Sequence, residues 1–539
     1  MRRLARCLCA AIAALVAVPA AAAGALPKAP PRDLAFLHVG SPSPVTGLAR
    51  VVDSHGRTVL LKGVNVDGIV DYWDADQKHP PAPEKLKPPY PSNPARYAHG
   101  RCPPDNRRVE GVVTCQFDFD QMRPLGYDVI RLNLSWSLLE PRPGKIDATY
   151  MNRIAQVVRW ARARGIYVVL DMHQDAWSKF VYTRGEPCVG DFQSIRGFDG
   201  APLWASRYTS PACALHGVRE LDPAVAEQFQ KFWLNAPAPD GLGLEDHYTS
   251  VLVALAKRSR RNPAVAGYEL MNEPQPGFNA PPGESDATEL FPYWGRAVDA
   301  VVAQVKGFRQ LFFVEPNVER NVTDAREAPP APWSAYSSYP NVVYAPHIYT
   351  GVFTADQEVA SQRFQPMEQG YQAAMDDAKS LGLPLWIGEF GNNPSDDNTL
   401  LPEHYTLQDK YLLGGALWLW KENANDTNAS FFWGVYGPPF GRGTPQRKRI
   451  LLTSRATPLT TAGTLLSVRY SPSGRSFDIR GISRRVRKGD RRRATVVFVP
   501  KNVVGRIRAR GARLKVFRRA GAREVYAYPK GGPYRIYSP

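Results

Sequence analysis

Val265-Ala266-Gly267-Tyr268-Glu269-Leu270-Met271-Asn272-Glu273-Pro274 is a strand-length, largely apolar run that ends on an amide, a carboxylate and a proline. Apolar side chains on both alternations of so short a run mark a strand buried on both faces. The design recurs at Leu383-Pro384-Leu385-Trp386-Ile387-Gly388-Glu389-Phe390-Gly391, where the carboxylate stands 116 residues beyond the first, from 273 to 389. Six further runs share the texture: Thr58–Val66, Tyr127–Trp136, Gly165–Met172, Gln310–Pro316, Asn341–Tyr349 and Gly414–Trp420. Helical patterns lie between them. Met151, Ile154, Val157, Val158 and Ala161 form one apolar stripe with Asp147 as its cap, and others run near 225–259, 287–307, 356–380 and 402–413. Eight strands alternating with helices predict an α/β fold, a (β/α)8 TIM barrel. A doubly wound open sheet is the rival, but no early strand is followed by a Gly-rich phosphate turn.

In such a barrel the chemistry stands on the carboxyl ends of the strands. Arg131 and Trp136, His173 and Asp175, Asn272 and Glu273, His347 and Tyr349, Glu389, Trp418 and Trp420 all fall there, although the strands are read from apolar pattern alone. Two long loops rise on the same face. Asp71–Gln116 is proline-rich, and Ala176–Asp222 carries Trp177, Phe180, Tyr182, Phe192, Phe198, Trp204 and Tyr208. Loops this long in a compact domain usually serve function. Their aromatics either line an apolar acceptor groove or pack the loop onto the barrel.

The ends of the chain differ from the body. Met1 to Ala23 has Arg2, Arg3 and Arg6, a short apolar middle and Ala20–Ala23, the pattern of a cleaved secretory signal, so a secreted protein is expected. Pro27, Pro30 and Pro31 mark an extended leader over 24–34. Beyond Cys7 and Cys9 in the signal, four cysteines remain: Cys102, Cys115, Cys188 and Cys213. An even number in an exported chain favours disulfides, and no pair has metal-ligand spacing. Of three pairings, the one with the shortest loops joins Cys102 to Cys115 and Cys188 to Cys213.

The net charge of +18 is concentrated at the C-terminus. From Gly441 to Pro539 there are 26 Lys and Arg against three acids, Asp478, Asp490 and Glu524, a net of +23 that leaves about −5 for the rest. The same stretch turns to short alternating runs, Leu465–Tyr470, Ala494–Val499, Arg513–Phe517 and Glu524–Tyr528, separated by turns such as Ser471-Pro472-Ser473-Gly474. These predict a basic antiparallel β-sandwich over 450–539, after a barrel over 35–440. Such a tail fits an anionic membrane or wall polymer, or is simply an Arg-rich solvated surface. Nucleic acid is not expected, because no recognition motif accompanies the charge.

Two carboxylates on strand ends are the minimum equipment for hydrolysing a glycosidic bond. A retaining enzyme holds them about 5 Å apart, one protonating the leaving oxygen and the other attacking the anomeric carbon. Glu273 suits the acid/base, since Asn272 beside it offers an amide to the sugar 2-hydroxyl. Glu389 suits the nucleophile, with His347 and Tyr349 to orient it and Arg131 to hold it ionised. His173 and Asp175 can bind sugar hydroxyls, and Trp418 or Trp420 can form a stacking floor. Glu315-Pro316 is a decoy for Glu273, and Glu140 reads as a holder of the second loop. Taken singly each residue has a structural alternative; together, in strand order, they do not arise by chance.

Asn-Glu-Pro on the fourth strand, His-x-Tyr on the sixth, Gly-Glu-Phe-Gly on the seventh and Trp on the eighth resemble glycoside hydrolase family 5. Leu170-Asp171-Met172-His173-Gln174-Asp175, Tyr344-Ala345-Pro346-His347-Ile348-Tyr349, the Pro458–Tyr470 stretch and the appended sandwich resemble the endoglycoceramidase and glycosylceramidase subgroup. The resemblance implies Glu273 as acid/base, Glu389 as nucleophile, and a donor site lined by Asn272, His173, Asp175, His347, Tyr349 and a Trp of the eighth strand. It implies a glycosphingolipid substrate, no metal or organic cofactor, and a monomer. Endoglycoceramidases carry a sugar-binding Lys shortly after the first strand; here Asn65-Val66-Asp67-Gly68 stands in that region, so the sugar preference does not carry over. The alternatives are a family 5 β-glucanase or mannanase, and a non-catalytic lipid- or wall-binding protein.

Overall fold

Alternation along eight parallel strands dictates what fills the barrel. The computed structural model describes residues 26–70, 93–103, 113–320, 330–350, 366–421, 433–437 and 442–539. The Met1–Ala23 signal, most of the Asp71–Gln116 loop and residues 356–365 of one expected helix lie outside the described residues. The barrel strands are Lys62–Val66, Val129–Ser135, Tyr167–His173, Val265–Glu269, Leu311–Val314, Val342–Tyr344, Trp386–Phe390 and Gly414–Leu417, each within or within a residue of an expected run. They pair in parallel in chain order, the eighth against the first (Ala416 with Gly63, Leu417 with Val64). Parallel bridges from Tyr344 to Leu385 and from Ile348 to Phe390 close the ring between sixth and seventh. Helices Ala148–Ala163, Leu244–Ser259, Phe291–Gln304, Met367–Leu381 and Leu400–Tyr411 pack outside, and Asp147 caps the first of these by accepting from the Tyr150 amide at 2.7 Å.

Inward-facing residues come in layers two residues apart. Val129, Val169, Ala266, Phe313, Val343 and Trp386 make an apolar floor with Leu37, Val51, Val59 and Leu61, which plug the barrel from below. Further along the strands, by two residues at Arg131, Asp171 and Glu315, the interior changes to Asn65, Arg131, Asp171, Glu269, Glu315 and His347, all buried. The apolar floor thus seals the lower end, and the charged layer opens toward the carboxyl ends.

The N-terminal boundary departs from expectation. Residues expected in the barrel, Leu37–Gly40, Arg50–Asp53 and Arg57–Thr58, form strands of a seven-stranded sheet whose other members are Thr457–Ala462, Thr495–Val499, Ala512–Arg519 and Ala522–Pro529. The join is Thr461 with Thr58 and Ala462 with Arg57. The leader adds to the far edge, where the Ala29 amide donates to Arg518 at 2.8 Å. A four-stranded sheet, Thr464–Ser471, Ser476–Ser483, Gly532–Ser538 and Arg508–Arg510, packs on the seven-stranded one through Val468, Ile479, Val497, Val525 and Ile536.

Sandwich and barrel meet at the amino-terminal ends of the barrel strands. Lys62 opens the first strand and pairs with Asp409 at 2.7 Å, which also takes Arg455 at 2.8 Å. Gly126, at φ 93°, lies flat beneath the Phe498 ring, where a Cβ would stand 2.4 Å from the ring. That backbone conformation and that approach both require glycine. Arg123 pairs with Glu524 and Arg32 with Asp128 across the same seam.

Candidate active site

Arg131 organises the charged layer from the middle of the second strand. It has no exposed surface. Its Nε and Nη2 donate to Glu269 at 2.6 and 3.2 Å, and Nη2 also reaches Asn272 Oδ1 at 2.8 Å, Glu315 at 3.2 Å and Asp171 at 3.2 Å. Its Nη1 donates to Asn65 at 3.0 Å and to Glu389 Oε1 at 2.5 Å. Burial alone would weaken this cation; Asp171, Glu269, Glu389 and Glu315 outweigh it and raise the guanidinium pKa still further.

Glu389, on the seventh strand, receives a second donor, the Tyr349 hydroxyl at 2.7 Å. Glu273 follows the fourth strand at φ 40°, a conformation rare for a non-glycine residue and typical of strained functional positions. Neighbours fix it there: its amide donates to Glu315 Oε2 at 3.2 Å, and Gln174 Nε2 donates to the carbonyls of Asn272 and Glu273 at 2.7 and 2.8 Å. His347 bridges the two carboxylates, with Nδ1 2.8 Å from Glu273 Oε1 and 3.7 Å from Glu389 Oε2, and Nε2 3.2 Å from Glu315. One oxygen of Glu273 and one of Glu389 lie within 4.8 Å of each other.

Burial pushes both carboxyls upward. At Glu273 the hydrogen bond from His347, then the charges of His347, His173 and Arg131, reverse this and leave it below its ordinary value. At Glu389 burial prevails over His347 and Arg131, and the shift is upward. Burial lowers the His347 imidazole, but Glu315 and Glu389 overcome that and raise it well above its usual value. Glu315 is pushed far up, by burial first and then by Glu269, which favours its neutral acid.

The wall on the third-strand side is His173, whose Nδ1 is 2.8 Å from Asp171 Oδ2. Burial opposes its charge, yet Asp171 and Asp199 raise the imidazole to about 10. Its ring lies parallel to Trp418, at 5.7 Å and 13°. Asp175 stands nearer the mouth and pairs with Arg219 of the second loop at 2.9 Å. Trp418 is half-buried and packs with Tyr349, Leu419 and Trp433, on the site side.

Of the two tryptophans offered as the stacking floor, Trp420 does not line the site. It is buried, donates its Nε1 to Asp118 at 3.0 Å and packs edge-on to Tyr127 and against Tyr436, outside the barrel wall. The eighth strand ends at Leu417, so the alternation that would keep 418 and 420 on one side has already stopped. Two of the second-loop aromatics are packing residues: Trp177 lies against Trp136, Phe229 and Phe232, and Trp204 against Trp136 and His247. Glu140 accepts from Trp136, Gly144 and His247, tying down the second-strand loop as expected. Disulfides join Cys102 to Cys115 and Cys188 to Cys213, the short-loop pairing.

The sequence reading missed the partners that make the site work. Asn65, Asp171, Glu269 and Glu315 surround Arg131, Gln174 holds the Glu273 backbone, and Arg219 holds Asp175. For Asp171 and Glu315 the available signal is the two-residue spacing from Val169 and Phe313 of the apolar floor, the same spacing that sets Arg131 beyond Val129.

The family Cellulase (glycosyl hydrolase family 5) matches residues 113–424, which takes in Arg131, His173, Glu273, His347, Glu389 and Trp418. Endoglycoceramidase I of Rhodococcus hoagii (strain 103S) is 28% identical over 397 residues, covering 70% of this chain and 68% of that protein. A glucosylceramidase of Aspergillus fumigatus is 26% identical over 265 residues, 42% of this chain and 31% of its own length. The crystal structure of an endogalactoceramidase superposes with a TM-score of 0.75 at 28% identity, over 94% of this chain and 100% of the other.

Proposed function

Since the chain belongs to glycoside hydrolase family 5 and is a glycosidase, we propose that it cleaves the glycan–ceramide bond of glycosphingolipids with retention of anomeric configuration. The carrying observation is the oxygen-to-oxygen approach of Glu273 and Glu389 within 4.8 Å. Retaining enzymes hold their carboxyls at about 5 Å, whereas inverting ones leave about 6.5–9.5 Å for a water between them. The lipid substrate is supported by the endoglycoceramidase, glucosylceramidase and endogalactoceramidase relatives, the last of which superposes over 94% of this chain.

In the first step an oxygen of Glu389 forms a bond to the anomeric carbon as the bond to the ceramide oxygen breaks and that oxygen takes a proton from Glu273. Arg131 and Tyr349 hold Glu389 as the attacking anion. In the second step Glu273 takes a proton from water, the hydroxyl bonds to the anomeric carbon, and Glu389 leaves. Glu273 is shifted down and His347 up, with Nδ1 2.8 Å from Glu273 Oε1, so the empty site favours the ion pair in which His347 carries the proton. Substrate expels the remaining water, and loss of solvation favours the neutral pair, so the proton crosses to Glu273 as the site fills. His347 is thereby the proton store for the acid, and the pair titrates as a unit.

His173 and Trp418 form the sugar wall, Asn272 offers its amide to the 2-hydroxyl, and Asp175 meets hydroxyls nearer the mouth. The two disulfides support export to an oxidising compartment, in keeping with the arginine-led N-terminus.

The test is incubation of purified protein with a ganglioside, lactosylceramide, glucosylceramide and galactosylceramide-linked oligosaccharide, with sugar and lipid products both identified. Intact oligosaccharide plus ceramide, released first as the β-anomer by proton NMR, is the expected result. Free monosaccharide from glucosylceramide alone would make it an exo-acting glucosylceramidase, and no release from any of the four would direct the search to β-glucans and mannans.

A further inference from the structure

The sandwich carries one outward face of consistent chemistry, and its position relative to the active site is fixed. The inner face of the four-stranded sheet packs on the seven-stranded one through Val468, Ile479 and Ile536, while the barrel meets the seven-stranded sheet through Phe498 on Gly126 and the edge of the four-stranded one through Leu60 and Leu412. Strand alternation therefore turns the other residues of the four-stranded sheet outward, away from the seven-stranded sheet and the sandwich core. Cross-strand register sets Arg480 beside Arg535 and Arg535 beside Arg510, three arginines abreast on three neighbouring strands. The next row is Arg469, Asp478, Tyr537 and Arg508. Asp478 pairs with Arg480 at 3.0 Å and with Arg535 at 2.8 Å, and the Arg535 guanidinium lies 4.3 Å over the Tyr537 ring. Arg469, Arg508 and Arg510 are exposed, and among the described residues Asp478 is the one carboxylate on this face.

Like charges directly opposite one another across a sheet cost stability, and here the cost is repeated from strand to strand. Such a surface is relieved by an anionic partner. The ends of the face are apolar: Ile482, 43% exposed, sits beside Pro533 at one end, and Val504, 73% exposed, stands at the other on the turn that packs Gly505 against Ser538. A flat cationic centre with apolar tips matches a lipid headgroup layer over acyl chains better than it matches a hydrated polyanion.

We infer that the outer face of the four-stranded sheet docks on a bilayer of anionic phospholipid, and that the docked enzyme keeps its active-site mouth off that bilayer. The second part follows from placement. The sandwich joins the amino-terminal ends of the barrel strands, through Lys62, Gly126 and Asp128, whereas Glu273 and Glu389 stand at the carboxyl ends. The docked bilayer is then an anchor, and substrate is drawn from a different surface or from micelles. The inference does not depend on which glycoside the barrel cleaves.

The experiment sediments the full chain with vesicles of phosphatidylcholine and with equimolar phosphatidylcholine–phosphatidylglycerol, both free of glycolipid. Binding to the anionic vesicles alone, weakened by salt, is expected. The variant carrying Arg469→Gln, Arg508→Gln and Arg510→Gln leaves the Asp478 pairs intact and should bind on the order of a hundredfold more weakly. Its rate on a soluble aryl β-glycoside should match the parent's, which shows the variant folded, and saturating vesicles should not slow either protein. Vesicle binding unchanged in the variant would overturn the assignment of the face. Retention by a soluble poly(glycerol phosphate) with no vesicle binding would replace the lipid by a wall-type polyanion. Vesicles that block aryl glycoside hydrolysis would overturn the anchored orientation.

Discussion

Nη1 of Arg131 donates to Oε1 of Glu389 at 2.5 Å, joining residues 258 apart in the chain at the centre of the barrel. The same guanidinium also serves Asp171, Glu269, Glu315 and the Asn272 amide oxygen, so the group that opposes the upward pull of burial on Glu389 is the group that makes four other buried carbonyl and carboxyl functions tolerable. Replacing it strands those charges. Arg131→Met should cost about 3–5 kcal/mol in urea unfolding, and Arg131→Lys should not rescue it, because an ammonium cannot reproduce the planar set of donors. A Lys variant with parental stability and kcat/KM would refute this account.

The two catalytic assignments are separable by chemical rescue. Glu273→Ala should lower kcat on natural substrate by about 10²–10⁴-fold and, with azide, yield the β-glycosyl azide from an activated aryl glycoside. Glu389→Ala should lose on the order of 10⁴-fold or more and yield the α-azide, because azide then enters from the vacated nucleophile's side. Exchange of the two products would reverse the roles.

Trp418 and Trp420 should part company under substitution. Trp418→Ala removes a ring that lies parallel to His173 on the sugar wall and should lower kcat/KM by about tenfold through lost stacking, with little change in melting temperature. Trp420→Ala removes a fully packed core ring and should cost about 3–5 kcal/mol of stability, leaving kcat/KM of the folded enzyme near the parent's. Equal effects of the two on KM would return Trp420 to the site.

Acid sensitivity should trace in part to His404. It is buried in the helix Leu400–Tyr411, 5.2 Å from the Phe390 ring, with Nδ1 3.0 Å from the Tyr371 hydroxyl, and burial pushes its pKa down to about 3. The folded chain needs it neutral, whereas the unfolded chain protonates it below about 6.5. Its contribution is therefore intact above pH 6.5 and is withdrawn as pH falls toward 3, at about 1.4 kcal/mol per pH unit. His404→Gln should flatten the dependence of melting temperature on pH over that window. Parallel curves for parent and variant would count against it.

The Cys188–Cys213 bond closes a loop of sequence separation 25 within the segment that delivers Arg219 to Asp175. Cys188→Ser should cost about 3 kcal/mol and raise KM for glycolipid more than it lowers kcat. A variant with unchanged KM would show that this loop does not shape the substrate entrance.

Much of this was readable in the chain. The eight strands follow from apolar runs because a both-face-buried strand admits few polar residues, and Asn272-Glu273 and Glu389 announce themselves as the polar ends of such runs. What escaped was sidedness. Asp171, Glu269 and Glu315 sit within or at the end of runs where the residues facing the barrel interior and those facing the helices are equally apolar, so nothing in the run shows that Glu315, a decoy for the acid, lies beneath His347. Trp418 and Trp420 cannot be told apart from the run for the complementary reason, since alternation stops at Leu417, where the strand ends. The N-terminal strands were assigned to the barrel because sequence adjacency is silent about pairing with a partner some 400 residues away.

That last pairing has a consequence for how the protein is made. Arg57 and Thr58 leave the ribosome early and pair with Ala462 and Thr461, whose own sheet is completed by strands ending at Pro529. For most of synthesis the first strands therefore wait with a bare edge, the kind of edge that recruits other chains. A chain cut short between Trp420 and Ala522 would carry a full set of active-site residues and an unfinished sheet. Such a truncation is expected to fail by aggregating rather than by losing its chemistry, so the last hundred residues act as the clasp that makes the first hundred safe to expose.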